Sequence, residues 1–544
     1  MMSSTPETAE AIAPMRRRRL FVLLAAWLVL AGAMLLLARQ NFSAPGLYYD
    51  EALFAGMAKD FVTGHVHGQH MPDHEVVTFL GRPFPVFAQA YLGALKSWML
   101  IPSFSLLGPT VAVLRSTTVL WGAIALLFLM LGTWRWFGLS TALIAGALLA
   151  FDPAYFFLSV LDWGAAVPSF VCRCACLYFA VRWNQTHKLR DAFFLGVFAG
   201  LGFFNKADFA VFLMALGLAA IFFYRQQLFA AVRRHYSSAP LACLGFALGA
   251  GPMLLKIPLI LRVATLKLPP GEPHEKLLAI LSMYDGSYFY RLMNVGGLFY
   301  TMFEASTNAR AGLGVALIIA IVVVVVLKMC GRQTADTDRA VAYFILATAL
   351  VTLGLILLPG AVRIHHMVLV FPLPQLLIAT VSVALWRIQG TERSIRRLIR
   401  AAVSIGLLMF LASQLRVIHM TEQLIHQSGG RGWWSESLNA FCRENRNRSD
   451  LTIVSLDWGF NEQLMFLTDG PQLAEPFWEF NQTLPPLPAN PDYIYLAHPA
   501  KYSVLKYDVA YLNQLQKSGG NAEITPYLDR QNEVAFYTIR FRSH

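Results

Sequence analysis

Stretches of about 20 apolar residues recur along most of the first 420 residues of this 544-residue chain. A helix of this length crosses the hydrocarbon core of a bilayer, because each residue adds roughly 1.5 Å of rise. The pattern therefore predicts a multi-pass α-helical membrane protein. We expect about eleven transmembrane helices, at residues 20–38, 111–137, 139–160, 164–183, 192–204, 209–224, 241–261, 311–328, 340–358, 367–386 and 399–415.

The composition supports lipid as the solvent for these stretches. Only 14% of the residues are charged and 56% are hydrophobic, whereas soluble domains carry roughly 25% charged residues. The formal net charge is +12. In a membrane protein such an excess is typical of basic cytoplasmic loops and of contact with anionic headgroups. We therefore expect membrane lipids, and no nucleic acid, among the partners.

The charges between the spans predict the orientation of the chain. The N-terminal segment 1–19 ends in four arginines, and every second loop after it is also basic. Because cytoplasmic loops collect Lys and Arg, this alternation places the N-terminus inside the cell. With an odd number of spans the C-terminal region lies outside, and the basic loops suit a bacterial inner (plasma) membrane.

Three outer segments are long, at residues 40–109, 262–310 and from 418 to the end. We expect a membrane domain over residues 20–417, which includes the first two segments. Residues 418–544 have the composition of a small extracytoplasmic α/β domain. Residues 451–456 and 493–496 have the character of strands, and residues 507–516 that of a helix.

Two adjacent acids, Asp50 and Glu51, follow the first span. They begin a segment whose apolar residues share one helical face, which predicts a helix lying along the outer membrane surface. One interpretation is structural: Asp50 caps this helix and Glu51 complements its dipole. The other is chemical: a carboxylate in a half-desolvated cleft is a candidate general base.

Other charged residues gather at the predicted outer ends of helices. Asp162 lies in a short outer turn, where it is either a turn residue or a functional acid. Lys206, Arg363 and Arg82 are candidate ligands for a lipid-linked phosphate, which an arginine fork or a lysine suits. The alternative for each cation is snorkelling to the headgroups.

Metal binding is a weaker possibility in two places. The first outer loop holds His65, His67, His70, Asp73, His74 and Glu75, which could bind a divalent cation but more often form a solvated polar face. Cys172, Cys174 and Cys176 point in different directions on a helix and are interpreted as packing residues. No cofactor is therefore expected with certainty, and no residue is assigned to a metal.

The order of these elements resembles the GT-C superfamily of integral membrane glycosyltransferases. The branch most similar contains the protein O-mannosyltransferases and the aminoarabinose transferase that modifies lipid A. The resemblance covers roughly residues 20–386. It is carried by the basic N-terminus, the Asp50-Glu51 pair, Arg82-Pro83-Phe84-Pro85, residues 91–96, Gly108-Pro109 through Leu114-Arg115, Asp152-Pro153 followed by Asp162, Phe204-Asn205-Lys206, and Arg363-Ile364-His365-His366.

The resemblance implies a sugar donor carried on a polyprenyl phosphate and used at the outer face of the membrane. Asp50 would be the general base, assisted by Glu51, and Asp162 would orient the acceptor or hold a metal ion. Lys206 and Arg363, together with Arg82, would bind the donor phosphate. The implied reaction is inverting transfer to a protein, lipid or glycan acceptor.

Two alternatives compete with this interpretation. A transporter or lipid flippase also needs many helices, and Arg173 and Lys256 lie inside predicted spans. A polysaccharide polymerase or ligase would also be membrane-bound with large outer loops. The gathering of charge at outer helix ends favours chemistry at the surface, and the acidic pair favours a transferase.

Overall fold

The computed structural model describes residues 6–68, 73–264, 274, 277–278, 313–329, 335–358, 364–389, 392–475, 493–505, 507–517 and 521–542. Arg363, His70 and most of the predicted outer loop 262–310 lie outside these residues.

The described residues up to 428 are mainly helical. In chain order the helices are α1 (Pro6–Ala38), α2 (Tyr49–Thr63), α3 (Leu95–Leu107), α4 (Val111–Phe137), α5 (Leu139–Ala150), α6 (Pro153–Leu161), α7 (Ala166–Thr186), α8 (Leu189–Asn205), α9 (Phe209–Arg234), α10 (Ser238–Ala264), α11 (Leu313–Met329), α12 (Ala335–Leu357), α13 (Leu373–Trp386) and α14 (Arg393–Ser428). Between α2 and α3, strands β1 (Glu75–Phe79), β2 (Arg82–Gln89) and β3 (Leu92–Gly93) form an antiparallel sheet.

Within the described part of the chain, seven helices are long and apolar enough to cross a membrane. The pair α5 and α6, bent by 62°, makes an eighth if it is one span. The chain is therefore a multi-pass membrane protein, as the sequence predicts. The expected count of about eleven stays a prediction, because α8, α11 and α13 have only 17, 17 and 14 residues.

Glycines bring α8 and α10 into close contact. A Cβ atom built on Gly196 would lie 2.0 Å from the carbonyl oxygen of Ala242, and one on Gly200 would lie 2.3 Å from that of Phe246. Gly245 and Gly249 face α8 in the same way. Small residues at such spacing let two backbones approach, which is how helices associate where lipid supplies no hydrophobic drive.

The C-terminal part is a small α/β domain, as predicted. Helix α14 runs through the predicted domain boundary at residue 418 and ends at Ser428. After it come α15 (Glu436–Asn445), β4 (Thr452–Ser455), α16 (Asn461–Leu467), β5 (Gln472–Ala474), β6 (Tyr493–Ala497), α17 (Tyr507–Lys517), β7 (Asn521–Leu528) and β8 (Val534–Arg542). The sheet order is β5-β4-β6-β8-β7; β5, β4 and β6 are parallel, and β8 and β7 are antiparallel.

The position of α2 differs from the expectation. Its apolar face predicted a helix lying along the membrane surface, but residues 51–60 are buried all round. Helix α2 packs between α3 on one side and α16 of the C-terminal domain on the other. The apolar face rests on the membrane domain, and the opposite face is covered by a segment more than 400 residues away in sequence, which local periodicity does not reveal.

Candidate functional site

A cavity of about 240 Å³ lies at the start of α2 and contains Asp50. Its other lining residues come from the outer loop, the ends of the helices and the C-terminal domain: Tyr49, Leu53, Phe54, Gln89, Tyr91, Leu92, Gly164, Lys206 and Trp458. The structure therefore brings together Asp50 and Lys206, two of the residues selected from the sequence.

Asp50 does not cap α2. The residue at the N-cap position is Tyr48, so Asp50 lies within the first turn with its side chain half-buried. Among the described residues it forms no ion pair. Burial raises the pKa of Asp50 to about 6, although the positive charges of Lys96 and Lys206 oppose this and the carboxylates of Asp162 and Glu462 add to it. A carboxyl group with this pKa is half-ionised at a pH of about 6 and mostly ionised at neutral pH, where it can accept a proton.

Glu51 has a different environment. Both of its oxygens accept hydrogen bonds of 2.9 Å from Arg115, which is fully buried in α4. The remaining Arg115 donors reach the carbonyls of Asn41, Pro45 and Gly46. Glu51 Oε2 also accepts from the backbone amide of Tyr48. This network fixes the start of α2 against α4, and thereby fixes the direction in which Asp50 points.

Behind the cavity, Asp162 pairs with Lys96. The Lys96 ammonium lies 3.4 Å from Asp162 Oδ2 and donates to the carbonyl oxygen of Asp162 at 2.7 Å. Asp162 Oδ1 accepts from the Val167 amide at the start of α7. Both side chains are buried. Lys96 was not selected from the sequence, and its burial beside Asp162 and near Asp50 is what makes it a candidate.

The turn that carries Asp162 has an unusual backbone. Asp162, Gly164 and Ala165 have φ values of 25°, 65° and 55°, the first and last being non-glycine residues. Such conformations cost free energy and persist where surrounding contacts impose them, often at functional sites. The turn places Gly164 in the cavity wall and directs the Asp162 carboxylate towards Lys96.

Lys206 follows the end of α8 in an extended conformation. Its ammonium lies 3.7 Å from Asp208 Oδ2, and the same carboxylate oxygen lies 3.6 Å from Nδ1 of His366. Sequence reasoning did not single out Asp208. Asp208 contacts both Lys206 and His366, the second residue of the histidine pair that follows Arg363.

Arg82 is not brought to this site. Its guanidinium donates to the carbonyls of Phe61 and Val62 at the C-terminal end of α2. Asp50 lies at the other end of the helix, about 18 Å away by the helical rise. The structure therefore gives Arg82 the role of satisfying helix-terminal carbonyls. Arg363 lies outside the described residues.

The histidine-rich loop forms no metal centre within the described residues. No group of three His, Cys, Asp or Glu side chains there is close enough together to hold an ion. His67 Nδ1 lies 2.7 Å from Asp60 Oδ1, and the His65 ring packs 4.2 Å from the His67 ring. The divalent cation and a metal role for Asp162 stay predictions.

Comparison with known proteins supports the resemblance. Residues 94–249 match the family of dolichyl-phosphate-mannose-protein mannosyltransferases. The structure is similar to that of ArnT from Cupriavidus metallidurans bound to undecaprenyl phosphate, with a TM-score of 0.54 and 13% identity over 96% of this chain and 97% of that one. The chain shares the ArnT fold. The apo form of that protein matches equally, with a TM-score of 0.54 and 12% identity over 97% and 98% of the two chains.

The similarity to ArnT covers the whole molecule, including the C-terminal domain. A further similarity, to the oligosaccharyltransferase AglB from Archaeoglobus fulgidus, has a TM-score of 0.49 and 13% identity over 85% of this chain and 65% of that one. No curated protein sequence matches the chain significantly. The GT-C resemblance predicted from the sequence is confirmed by the family match and by the ArnT fold.

Proposed function

We propose that the chain is an inverting glycosyltransferase that uses a polyprenyl-phosphate-linked sugar on the outer face of the membrane. The observation that carries the proposal is the cavity in which Asp50, its pKa raised to about 6, faces Lys206 beside the buried pair Lys96 and Asp162. An acid that accepts a proton and cations that stabilise a leaving phosphate are the two requirements of such a transfer.

In the proposed reaction, an acceptor hydroxyl gives its proton to Asp50 as its oxygen attacks the anomeric carbon. The bond from that carbon to the phosphate oxygen breaks, and the phosphate leaves with the electron pair. Lys206 is the described cation in the cavity wall and is assigned to this developing charge, with Arg363 as its predicted partner. Attack opposite to the leaving group inverts the anomeric configuration.

Asp162 and Glu51 are given supporting roles. Asp162 holds Lys96 close to Asp50, where the positive charge keeps the pKa of the base from rising further. Glu51 fixes the start of α2 through Arg115. The family match and the undecaprenyl phosphate bound to ArnT support the choice of donor class. The acceptor is a protein, lipid or glycan.

The two features that favoured transport have structural partners. Arg173, buried in α7, donates to the carbonyls of Val368 and Phe371. Lys256 pairs with Glu75 and lies 5.2 Å from the centre of the Phe87 ring. Both charges are thus used in packing one helix against another segment. The positions of Arg173 and Lys256 therefore do not favour a flippase. They do not favour a polymerase or ligase either.

The test is release of polyprenyl phosphate from a panel of polyprenyl-phosphate sugars by the purified chain. Wild type and Asp450→Asn should release it, because Asp450 is an exposed acid paired with Arg448. Asp50→Asn should fold and release none. Release by folded Asp50→Asn would remove Asp50 as the base, and no release by wild type with any donor would contradict the proposal for that panel.

A further inference from the structure

One wall of the Asp50 cavity is supplied by the C-terminal domain. Trp458 lies between β4 and α16, is half-buried, and lines the cavity together with Asp50, Tyr91 and Lys206. No other described residue of the C-terminal domain lines it. The domain therefore contributes one aromatic side chain to a space whose reactive groups all belong to the membrane domain.

The segment that carries Trp458 is held in a fixed position. Asp457 accepts hydrogen bonds from the backbone amides of Trp458, Val504 and Leu505, and its Oδ2 lies 3.1 Å from His498 Nδ1. Asp457 and His498 are both buried. Burial alone would raise the pKa of Asp457, but His498 and the amides outweigh it and lower the pKa. A charged carboxylate thus anchors the backbone on which Trp458 is mounted.

Aromatic neighbours fix the orientation of the indole. The Tyr49 ring lies 4.5 Å from it at 34°, and the Trp433 ring lies 4.9 Å away at 80°. Trp433 is itself tied by a hydrogen bond from its Nε1 to the carbonyl of Tyr502. Contacts of this kind limit the rotamers of Trp458. The cavity wall is therefore preorganised.

The domain is also fastened to α2 close by. Lys59 is buried, and its ammonium donates to the carbonyls of Met465, Phe466 and Thr468 at the end of α16 and lies 2.7 Å from Asp469. This places the C-terminal end of α16 on the middle of α2. With α16 held there, the residues just before it, including Trp458, stand over the first turn of α2 and Asp50.

The chemistry of the lining indicates what fits against the indole. Tyr91 and Asp50 offer a hydroxyl and a carboxylate beside the apolar faces of Tyr49 and Trp458. A pyranose ring has a matching surface, with C–H groups on one face and hydroxyls around its rim. The volume of about 240 Å³ is below the roughly 300–1,000 Å³ of pockets for drug-sized ligands. The space therefore suits one ring.

We propose that Trp458 of the C-terminal domain forms an aromatic subsite for a single pyranose ring next to Asp50. The proposal rests on the proposed function for its choice of ligand class, since a transferred or accepting sugar must come within reach of the base. The ring belongs either to the donor or to a glycan acceptor, and the two sources are separated by the experiment below.

The experiment measures sugar binding without requiring turnover. The full chain in lipid nanodiscs is titrated with undecaprenyl phosphate and with undecaprenyl-phosphate pyranoses, in competition with a fluorescent polyprenyl phosphate. Methyl pyranosides serve as soluble probes by saturation-transfer NMR. The variants are Trp458→Ala, Trp458→Phe, which keeps an aromatic face, and Trp386→Ala, an exposed tryptophan at the end of α13.

If the ring is the donor's, wild type and Trp386→Ala bind the glycosylated lipid more tightly than the bare one. In Trp458→Ala the ratio of the affinities for the glycosylated and the bare lipid then falls about tenfold, while the affinity for undecaprenyl phosphate is unchanged. Trp458→Phe keeps most of the preference for the glycosylated lipid. If the ring is the acceptor's, the lipid preference is absent, and Trp458→Ala loses the NMR signal of a methyl pyranoside that wild type and Trp458→Phe retain.

A folded Trp458→Ala that keeps both the preference and the NMR signal overturns the subsite, as does a wild type that shows neither. The proposed function is judged separately by release of polyprenyl phosphate. Sugar binding that depends on Trp458 in a protein that releases nothing would keep the subsite and reject the transferase. If wild type releases polyprenyl phosphate and Trp458→Ala binds sugar as wild type does, the transferase is kept and the subsite is rejected.

Discussion

Asp50 and Glu51 are neighbours in sequence, but their carboxylates have opposite surroundings. Glu51 has both oxygens occupied by Arg115 and a backbone amide, and is 1% exposed. Asp50 has no ion pair among the described residues and faces a cavity. The Glu51 carboxylate is thus used in contacts that hold α2 against α4, whereas burial without a direct partner raises the pKa of Asp50 to about 6. The proposed function accordingly gives Glu51 a structural role and Asp50 a chemical one.

The pH dependence of turnover should report Asp50. Because the base acts as the carboxylate, kcat/KM should rise with pH through an apparent pKa near 6, the value to which burial raises Asp50, and fall about tenfold for each pH unit below it. Lys206 lowers the pKa of Asp50, so Lys206→Met should move this limb to higher pH. Initial rates from pH 4.5 to 8.5 check both. If Lys206→Met leaves the pH dependence of kcat/KM unchanged, the charge of Lys206 does not act on the pKa of Asp50.

Glu51→Ala should damage the fold. It leaves the fully buried Arg115 without its carboxylate, and an uncompensated buried charge costs about 3–5 kcal/mol. Thermal unfolding in detergent should show a large drop in Tm, with a smaller drop for Glu51→Gln because the amide keeps one acceptor. In the double variant Glu51→Leu with Arg115→Met, which removes both charges, part of the loss should be recovered. If Glu51→Ala keeps the Tm of wild type but loses turnover, Glu51 acts in the chemistry and not in the fold.

At the scale of elements, α2 is the piece that joins the parts of the molecule. Its start is tied to α4 by Glu51, its middle to the C-terminal domain by Lys59, and its end to the outer hairpin by Arg82. At each point a long basic side chain reaches backbone carbonyl groups of another segment: Arg115 at the start, Lys59 in α2 itself and Arg82 at the end. A helix fixed at three points holds Asp50 in place with little freedom, which is what general-base chemistry requires.

Lys59→Met should loosen the C-terminal domain. The change keeps the length of the side chain but removes the donor for three carbonyls at the end of α16 and the partner of Asp469. Hydrogen exchange at residues 461–469 should become faster by at least tenfold, with little change in α4 and α7. Lys501→Met is the matched control, because Lys501 pairs with Glu533 on the exposed surface. Equal exchange in both variants would show that Lys59 does not hold the domain.

The sequence predicted the helices well and the site in part. Apolar spans are set by the local requirement to match lipid, so length and apolarity locate the spans of α1, α4 and α7 within a few residues, whereas α9 continues to Arg234, ten residues beyond its predicted end. Asp50 and Lys206, selected because charges at outer helix ends are costly and few, line the same cavity, and their roles stay predictions. Trp458 and the burial of α2 were missed, because they depend on contacts between segments far apart in the chain. The position of Arg82 away from the cavity was not foreseen, because its partners are backbone carbonyls, which carry no sequence signal.

At the scale of the whole molecule, the predicted topology gives the two sides of the membrane different parts of the chain. Each predicted cytoplasmic loop carries or adjoins basic residues, whereas the cavity and the C-terminal sheet domain belong to the predicted outer side. The ArnT fold has the same two parts over nearly the full length of both chains. If the orientation is as predicted, Asp50 acts on substrates that have already crossed the membrane.

That orientation can be tested with two exposed serines. Ser449 lies on the C-terminal domain and Ser237 between α9 and α10, next to a basic loop. Ser449→Cys should react with a membrane-impermeant maleimide in right-side-out vesicles, and Ser237→Cys only in inside-out vesicles. Cys243, the exposed cysteine among those described, is replaced by Ser in both. The reverse pattern would invert the assigned sides and place the cavity in the cytoplasm.

The aromatic wall of the cavity comes late in the chain. Roughly 400 residues and all the predicted membrane crossings except the first separate Asp50 from Trp458. Because the ribosome makes the chain from its N-terminus, Asp50 and Lys206 are synthesised long before Trp458. The cavity can therefore be completed only after the C-terminal domain has been made, and a chain that ends before residue 458 lacks the wall that Trp458 supplies.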